Sequence, residues 1–183
     1  YSLTIKQSCP ATPGQDEKQS FHMPISVGLL GSDGKDMTFS TVDADVANVA
    51  SDGEFTVVLN LREQEQTFLF SDVPEKPVVS LLRGFSAPVK LNFDSSRDDL
   101  LFLMQNDSDG FNRWEAGQRL SVGVVQDVIA QIQAGQDIEI DERIVKAAES
   151  LLNEVVAHSA VGTIDKAMFA DMLVLPTEAY LAA

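Results

Sequence analysis

Asp107, Asp109 and Gly110 lie in the stretch NDSDGFNRWEAGQ (residues 106–118) and have the types and spacing of a calcium loop. Such a loop places oxygen ligands at positions 1, 3, 5 and 12 around a Gly at position 6. With Gly110 at position 6, Asp109 and Asp107 fall at 5 and 3, but Gln105 stands at position 1 and Ala116 at position 12. The first ligand is neutral and the closing bidentate carboxylate is missing, which argues against a hard cation here. The same residues read as a helix start. Asp107, Ser108 and Asp109 are suited to accept from free backbone N–H groups and to complement the helix dipole. Phe111 and Trp114, three apart, share one helix face and are predicted to be buried anchors of the first turn.

The rest of the chain offers little other site chemistry. There are two histidines, His22 in FHMP and His158 in VAHS, and no H-E-x-x-H. Both read as structural, His22 in a strand or loop and His158 near a helix end. No G-x-S-x-G elbow is present, and GSDGKD lacks the spacing of a phosphate loop. Cys9 is the only cysteine, so no internal disulfide can form, and beside Pro10 it reads as a half-buried small residue. The carboxylates are plentiful, yet spacing distinguishes no pair of them. The expected site inventory is therefore empty: no catalytic residue, no cofactor-binding residue and no metal ligand.

The elements that would have to position any site divide into two halves. Hydrophobic residues make up 44% and charged residues 22% of the 183 positions, a globular mixture long enough to bury a core without staples. No apolar run is long enough to span a membrane. The net charge of −15 disfavours nucleic acid and anionic membrane surfaces, both of which require clustered Lys and Arg. Residues 98–183 carry 15 acids and 5 bases, so this half alone is −10.

Before about residue 97 the hydrophobic period is 2. YSLTIK, PISVGLL, MTFS, FTVVLNL, TFLF, VVSLLRG and VKLNF (Val89, Leu91, Phe93) read as about seven short strands. Asp33-Gly34 and Asp52-Gly53 supply turns, and residues 9–20 read as a long exposed loop. After residue 97 the period becomes helical. One helix is predicted before Gln105. A second runs from about Asp109 to Ala134, with a stripe of Phe111, Trp114, Ser121, Val125, Val128 and Ile132, widened by Val124 and Ile129, and Gly135 as its stop. A third is capped by Asp141 and carries Ile144, Val145, Ala148, Leu151, Leu152 and Val155. A fourth is capped by Thr163 and carries Ile164, Met168, Met172 and Leu175. A fifth is capped by Thr177 after Pro176. The expected fold is an antiparallel β-sandwich followed by an α-helical bundle or the start of an α-solenoid.

The segments YSLTIKQSCPATPGQDEKQSFHMPISVGLLGSDGK, LLRGFSAPVKL and NDSDGFNRWEAGQRL closely resemble bacterial aminopeptidase N, of the gluzincin zinc aminopeptidases. The likeness runs in order along nearly the whole chain; Gly110 stands where that family commonly has Pro. It implies an immunoglobulin-like β-sandwich over residues 1–97 and the first helices of a C-terminal helical domain over 98–183. It also implies that the zinc ligands and the G-x-M-E-N motif of the family lie in a catalytic domain with no counterpart here. No zinc site or other cofactor is expected in this segment; zinc belongs to the parent enzyme.

By this resemblance the segment is a non-catalytic spacer and helical wall of a cytoplasmic enzyme that removes N-terminal amino acids from peptides. Its partners would be the catalytic and remaining helical domains of its own polypeptide and the peptide substrates, with no nucleic acid and no membrane. Both chain ends read as cuts within a longer polypeptide. Two other readings stay open: a stand-alone protein-binding module of sandwich plus helices, and an independent carboxylate hydrolase, which the lack of a recognisable site disfavours. Isothermal titration of the chain with zinc and with calcium is expected to show no sub-micromolar binding of either ion, because both ligand sets are incomplete.

Overall fold

The computed structural model describes residues 1–41, 46–51, 54–158, 166–177 and 181. The chain divides into two compact units, Tyr1–Leu91 and Asn92–Ala183. The described residues of the first form seven strands: β1 Ser2–Lys6, β2 Met23–Leu30, β3 Ser40–Thr41, β4 Val46–Ser51, β5 Glu54–Leu61, β6 Glu65–Ser71 and β7 Val78–Leu81. They form a three-stranded sheet of order β1-β6-β3 and a four-stranded sheet of order β4-β5-β2-β7, antiparallel throughout.

Alternation places Val57, Leu59 and Leu61 of β5 in the core beside Ile25, Val27 and Leu29 of β2. Leu3, Phe68 and Phe70 are the buried residues of the other sheet. Phe39 links the two sheets, packing edge-on to Phe55 at 4.7 Å and to Phe70 at 5.2 Å between ring centroids. Edge-to-face geometry suits the ring quadrupoles and adds to the area buried.

β2 breaks the alternation, since Ile25 to Leu30 are all buried. The cause is a second cover on the face that carries Gly28. There the Arg83 guanidinium lies over Gly28, which is paired with Ser80 of β7. Any side chain at position 28 would collide with it. Arg83 grips Asp36 with two parallel bonds of 2.7 and 2.8 Å and donates to Ser80 Oγ at 2.8 Å and to Thr56 Oγ1 at 3.2 Å. Asp36 also accepts from the Phe55 N–H at 2.9 Å. The two charged side chains are 4% and 2% exposed, a fully desolvated pair. Leu82, Gly84 and Phe85, around the short 3-10 turn Arg83–Phe85, all have positive φ, so this turn is held against local preference. One expected strand is not formed: Val89, Leu91 and Phe93 follow this turn without regular structure, and Val89 and Leu91 face solvent. The Asp52-Gly53 turn lies outside the described residues.

The second unit holds α1 Arg97–Asn106, α2 Gly110–Gln133, α3 Glu142–His158 and α4 Lys166–Met172. Ser96 opens α1 with a reciprocal capping box to Asp99, and Asp141 Oδ1 accepts from the Arg143 N–H at the start of α3. Gly135 with φ 67° closes α2. Thr163 and Ile164 lie outside the described residues. Leu100, Leu103 and Met104 of α1 are buried, as are Ala116, Gly117, Leu120, Ser121 and Val124 of α2. Gly117 is the point of close approach, because a Cβ there would stand 3.4 Å from Met104. Arg113 joins the four described helices: from α2 it donates to the Met104 carbonyl at 3.0 Å, pairs with Glu154 of α3 at 2.9 Å and lies 5.0 Å over the Phe169 ring of α4. At the start of α3, Arg143 bonds Asp141 and Asp98, and Arg97 pairs with Asp127 at 2.6 Å.

Two predictions follow from these ion pairs. Arg83→Ala leaves Asp36 buried without its counter-charge and is expected to cost about 3–5 kcal/mol in urea denaturation of the sandwich. Arg83→Lys should recover little, since an ammonium cannot reproduce the fork. At α3, the hydrogen bonds from the Arg143 side chain and N–H hold the Asp141 carboxyl down at about 2. Its contribution is therefore fully present above the ordinary carboxylate value of about 3.9 and is lost as pH falls through the depressed one. The stability difference between the wild type and Asp141→Asn, measured by denaturation at a series of pH values, should be constant near neutrality and shrink in strong acid.

Candidate functional site

The stretch NDSDGFNRWEAGQ contributes Gly110, Phe111, Trp114 and Gln118 to one wall of a groove in the helical unit. Asp109 is the N-cap of α2: its Oδ1 accepts from the Asn112 N–H at 2.8 Å, while Asp107 Oδ1 accepts from the Asp109 N–H at 3.0 Å. The acids thus serve the backbone, as the capping reading expected. A Cβ at Gly110 would meet the Met168 sulfur of α4, so a larger residue there requires that side chain to move.

The expected burial of Phe111 and Trp114 is corrected. Phe111 is 41% exposed and Trp114 is half-buried. Their rings pack on one another at 5.6 Å between centroids. With Gln118, Met168 and the segment Val174–Thr177 they line an open groove of about 700 Å³. Gln118 is buried and donates from Nε2 to the Val174 carbonyl at 2.8 Å, fixing the chain that leaves α4. The helical stripe read from sequence is buried only in its middle, at Ser121 and Val124, and Phe111 at its start and Ile129 and Ile132 at its end are exposed. The buried face of α2 runs through Asn112, Ala116, Leu120 and Val124, while Ile129 and Ile132 are exposed. Burial follows the small residues because they let α1 approach, whereas the bulky stripe sits beside that contact. In α3 the expected Leu151 is buried, joined by Ala147, while Val145 and Leu152 of the expected stripe are exposed.

The other chemistry-bearing residues stay apart. His22 Nε2 meets Asn60 Oδ1 at 2.9 Å on the surface of the sandwich. His158 ends α3. Cys9 is exposed rather than half-buried, in a polar surface pocket with Glu17, Lys18 and Gln64. Among the described residues no three His, Cys, Asp or Glu side chains gather as a metal site would require, so this donor set does not fit a zinc centre. No described helix is long and apolar enough to cross a membrane.

A two-sheet sandwich followed by packed helices defines a class: an immunoglobulin-like domain joined to a helical repeat domain. The chain belongs to the family described as domain of unknown function DUF3458, Ig-like fold, which matches residues 1–94; its companion DUF3458_C, ARM repeats, matches residues 97–183. Aminopeptidase N of Escherichia coli is 36% identical over 177 residues, 97% of this chain and 18% of that protein. Aminopeptidase N of Haemophilus influenzae is 32% identical over 97% of this chain and 19% of its own. The crystal structure of Legionella pneumophila aminopeptidase A in complex with aspartic acid is similar with a TM-score of 0.70 at 28% identity, over 99% of this chain and 17% of that one. The chain thus spans under a fifth of the length of these relatives.

The corrected geometry sets an order of effects. Asp109→Ala removes a cap and is expected to cost about 0.5–2 kcal/mol. Phe111→Ser, at an exposed position, is expected to stay within about 0.5 kcal/mol of the wild type. Chemical denaturation of both variants by circular dichroism checks the order; the reverse order would restore Phe111 as an anchor.

Proposed function

We propose that this chain is the non-catalytic spacer and helical wall of a zinc aminopeptidase. The division of labour falls at residues 97 and 98, with the sandwich as spacer and the helices as wall. The observation that carries this reading is the match to aminopeptidase N along 97% of the chain, in a segment whose described residues hold no metal-ligand cluster. On this reading no catalytic, cofactor-binding or metal-ligating residue lies in residues 1–183, and the zinc chemistry belongs to another domain of the same cytoplasmic polypeptide. That domain, the remaining helices and the peptide substrates are the partners.

The physical logic is that of two units, each braced from within. The desolvated Arg83–Asp36 pair and the Phe39 cluster fix the shape of the sandwich. Arg113 fixes the helices to one another. Units braced in this way restrict what reaches a reactive centre without touching the bond that breaks. The test compares the parent enzyme with a version lacking residues 1–183 and everything after them. Hydrolysis of a short aminoacyl anilide should persist, while discrimination between unfolded peptides and folded proteins with free N-termini should collapse. Unchanged discrimination would overturn the wall, and activity of residues 1–183 alone would overturn the non-catalytic assignment.

A further inference from the structure

The pocket beside the loop 9–20 lies wholly within the sandwich unit. Its two walls are residues 7–9, after β1, and 17–21, before β2, and Gln64 between β5 and β6 completes the lining. Gln7 stitches the walls together. Its Nε2 donates to the Phe21 carbonyl at 2.8 Å and to the Glu63 carbonyl at 3.0 Å, and its Oε1 accepts from the Phe21 N–H at 2.8 Å. The Gln7 N–H donates to the Gln64 carbonyl at 2.9 Å. Between the walls the chain makes a tight turn: Thr12 and Gln15 exchange backbone bonds across Pro13 and Gly14, with Gly14 at φ 81°. A surface loop whose ends meet and whose interior is bonded to itself is an Ω-loop, a form that frequently carries function. The cavity of about 400 Å³ falls in the size range of small-ligand sites, about 300–1,000 Å³.

Two opposite charges line this cavity without pairing with one another. Glu17 is exposed and forms no bond to the described residues. The Lys18 ammonium donates to Thr12 Oγ1 and to Gln15 Oε1, both at 2.6 Å. These oxygens are neutral, so the charge of Lys18 stays uncompensated and one of its three N–H groups is available to a ligand. Phe21, on the same wall, is 51% exposed and offers an apolar face.

We infer that this pocket binds a free α-amino acid with an apolar or aromatic side chain. The ligand's ammonium faces Glu17, its carboxylate faces Lys18 and its side chain lies against Phe21. A simple anion such as phosphate would meet Glu17 as a like charge, and a simple cation would meet Lys18 in the same way; a zwitterion answers both. The N-terminus of a peptide carries only the first of the two charges, and a C-terminus only the second. The inference stands on the sandwich unit alone and does not depend on the aminopeptidase reading.

Cys9 supplies the readout, because it is the only cysteine, is exposed and lines the pocket. Its thiolate attacks the disulfide of dithiobis(nitrobenzoate): a mixed disulfide forms on Cys9 and one coloured thiolate leaves. L-phenylalanine is expected to slow this reaction saturably, with a Kd below about 10 mM. N-acetyl-L-phenylalanine lacks the ammonium and L-phenylalaninamide lacks the carboxylate, and each should bind at least about threefold more weakly, as loss of one exposed charge contact requires. Glu17→Gln changes an exposed side chain that holds nothing else in place, and it should bring L-phenylalanine and its N-acetyl derivative together in affinity. Amide shifts in heteronuclear NMR should be confined to residues 7–9, 17–21 and 64. Several results would overturn the inference: no protection of Cys9 at about 10 mM ligand, equal protection by all three compounds, or equal protection by sodium chloride at matched ionic strength. An unchanged preference in Glu17→Gln, or amide shifts centred elsewhere, would do so too. The spacer-and-wall reading is judged separately, by the hydrolysis comparison above.

Discussion

The Arg83–Asp36 pair is the constraint on which the sandwich depends. It lies with both side chains almost wholly removed from water, where an ion pair is tolerated only if nearly every donor and acceptor is matched. The surroundings supply the matches: Ser80 and Thr56 from neighbouring strands, and the Phe55 N–H on Asp36. Those partners explain several residue choices together. Position 28 must be glycine so that the guanidinium can lie on the sheet, and position 80 carries a buried hydroxyl. The left-handed residues Leu82, Gly84 and Phe85 turn the chain so that Arg83 points back across β7 and β2. The same arrangement covers the second face of β2, which is why that strand is buried throughout.

The helical unit uses charge differently. Arg113 holds a carbonyl, a carboxylate and an aromatic face at once, one on each neighbouring helix. Its planar, delocalised cation suits all three partners, as an ammonium would not. The Asp141–Arg143–Asp98 cluster sits nearer water, and its role is to start α3 and tie that start to α1. Between these points the helices meet through small residues. Ala116, Gly117 and Ser121 bring α2 close to α1, and Ala147 serves the buried face of α3.

That choice of small residues limits what a hydrophobic stripe reveals. Large apolar residues at Phe111, Ile129, Ile132, Val145 and Leu152 formed a regular pattern in sequence, yet all are exposed in the structure. Periodicity reports that a helix has an apolar side. It does not report which neighbour covers that side, and here the described neighbours take the adjacent face. The candidate site was therefore legible as a stretch of interest, NDSDGFNRWEAGQ, and illegible as a groove. The Asp109 cap needed only local chemistry, because the N–H it satisfies lies three residues away. The groove needed Met168 and Val174, more than fifty residues further along the chain.

What the sequence determined by itself is the division into a strand half and a helical half and most of their elements, though not β4, Val46–Ser51, which lies in none of the alternating runs. Alternation with period 2 gave strands, the switch to helical period gave helices, and Ser96, Asp109, Asp141 and Gly135 marked their ends through bonds that reach only a few residues. The resemblance to aminopeptidase N was also carried by local segments, and the family matches agree with it. Tertiary structure alone decided the partners of Arg83, the failure of Val89, Leu91 and Phe93 to form a strand, and the side of α2 that is buried. The reason is physical: capping and periodicity are short-range and survive in any context. Burial of a charge or an amide is fixed by residues 47 positions away for Arg83 and 56 away for Gln118, and only the folded chain brings these together.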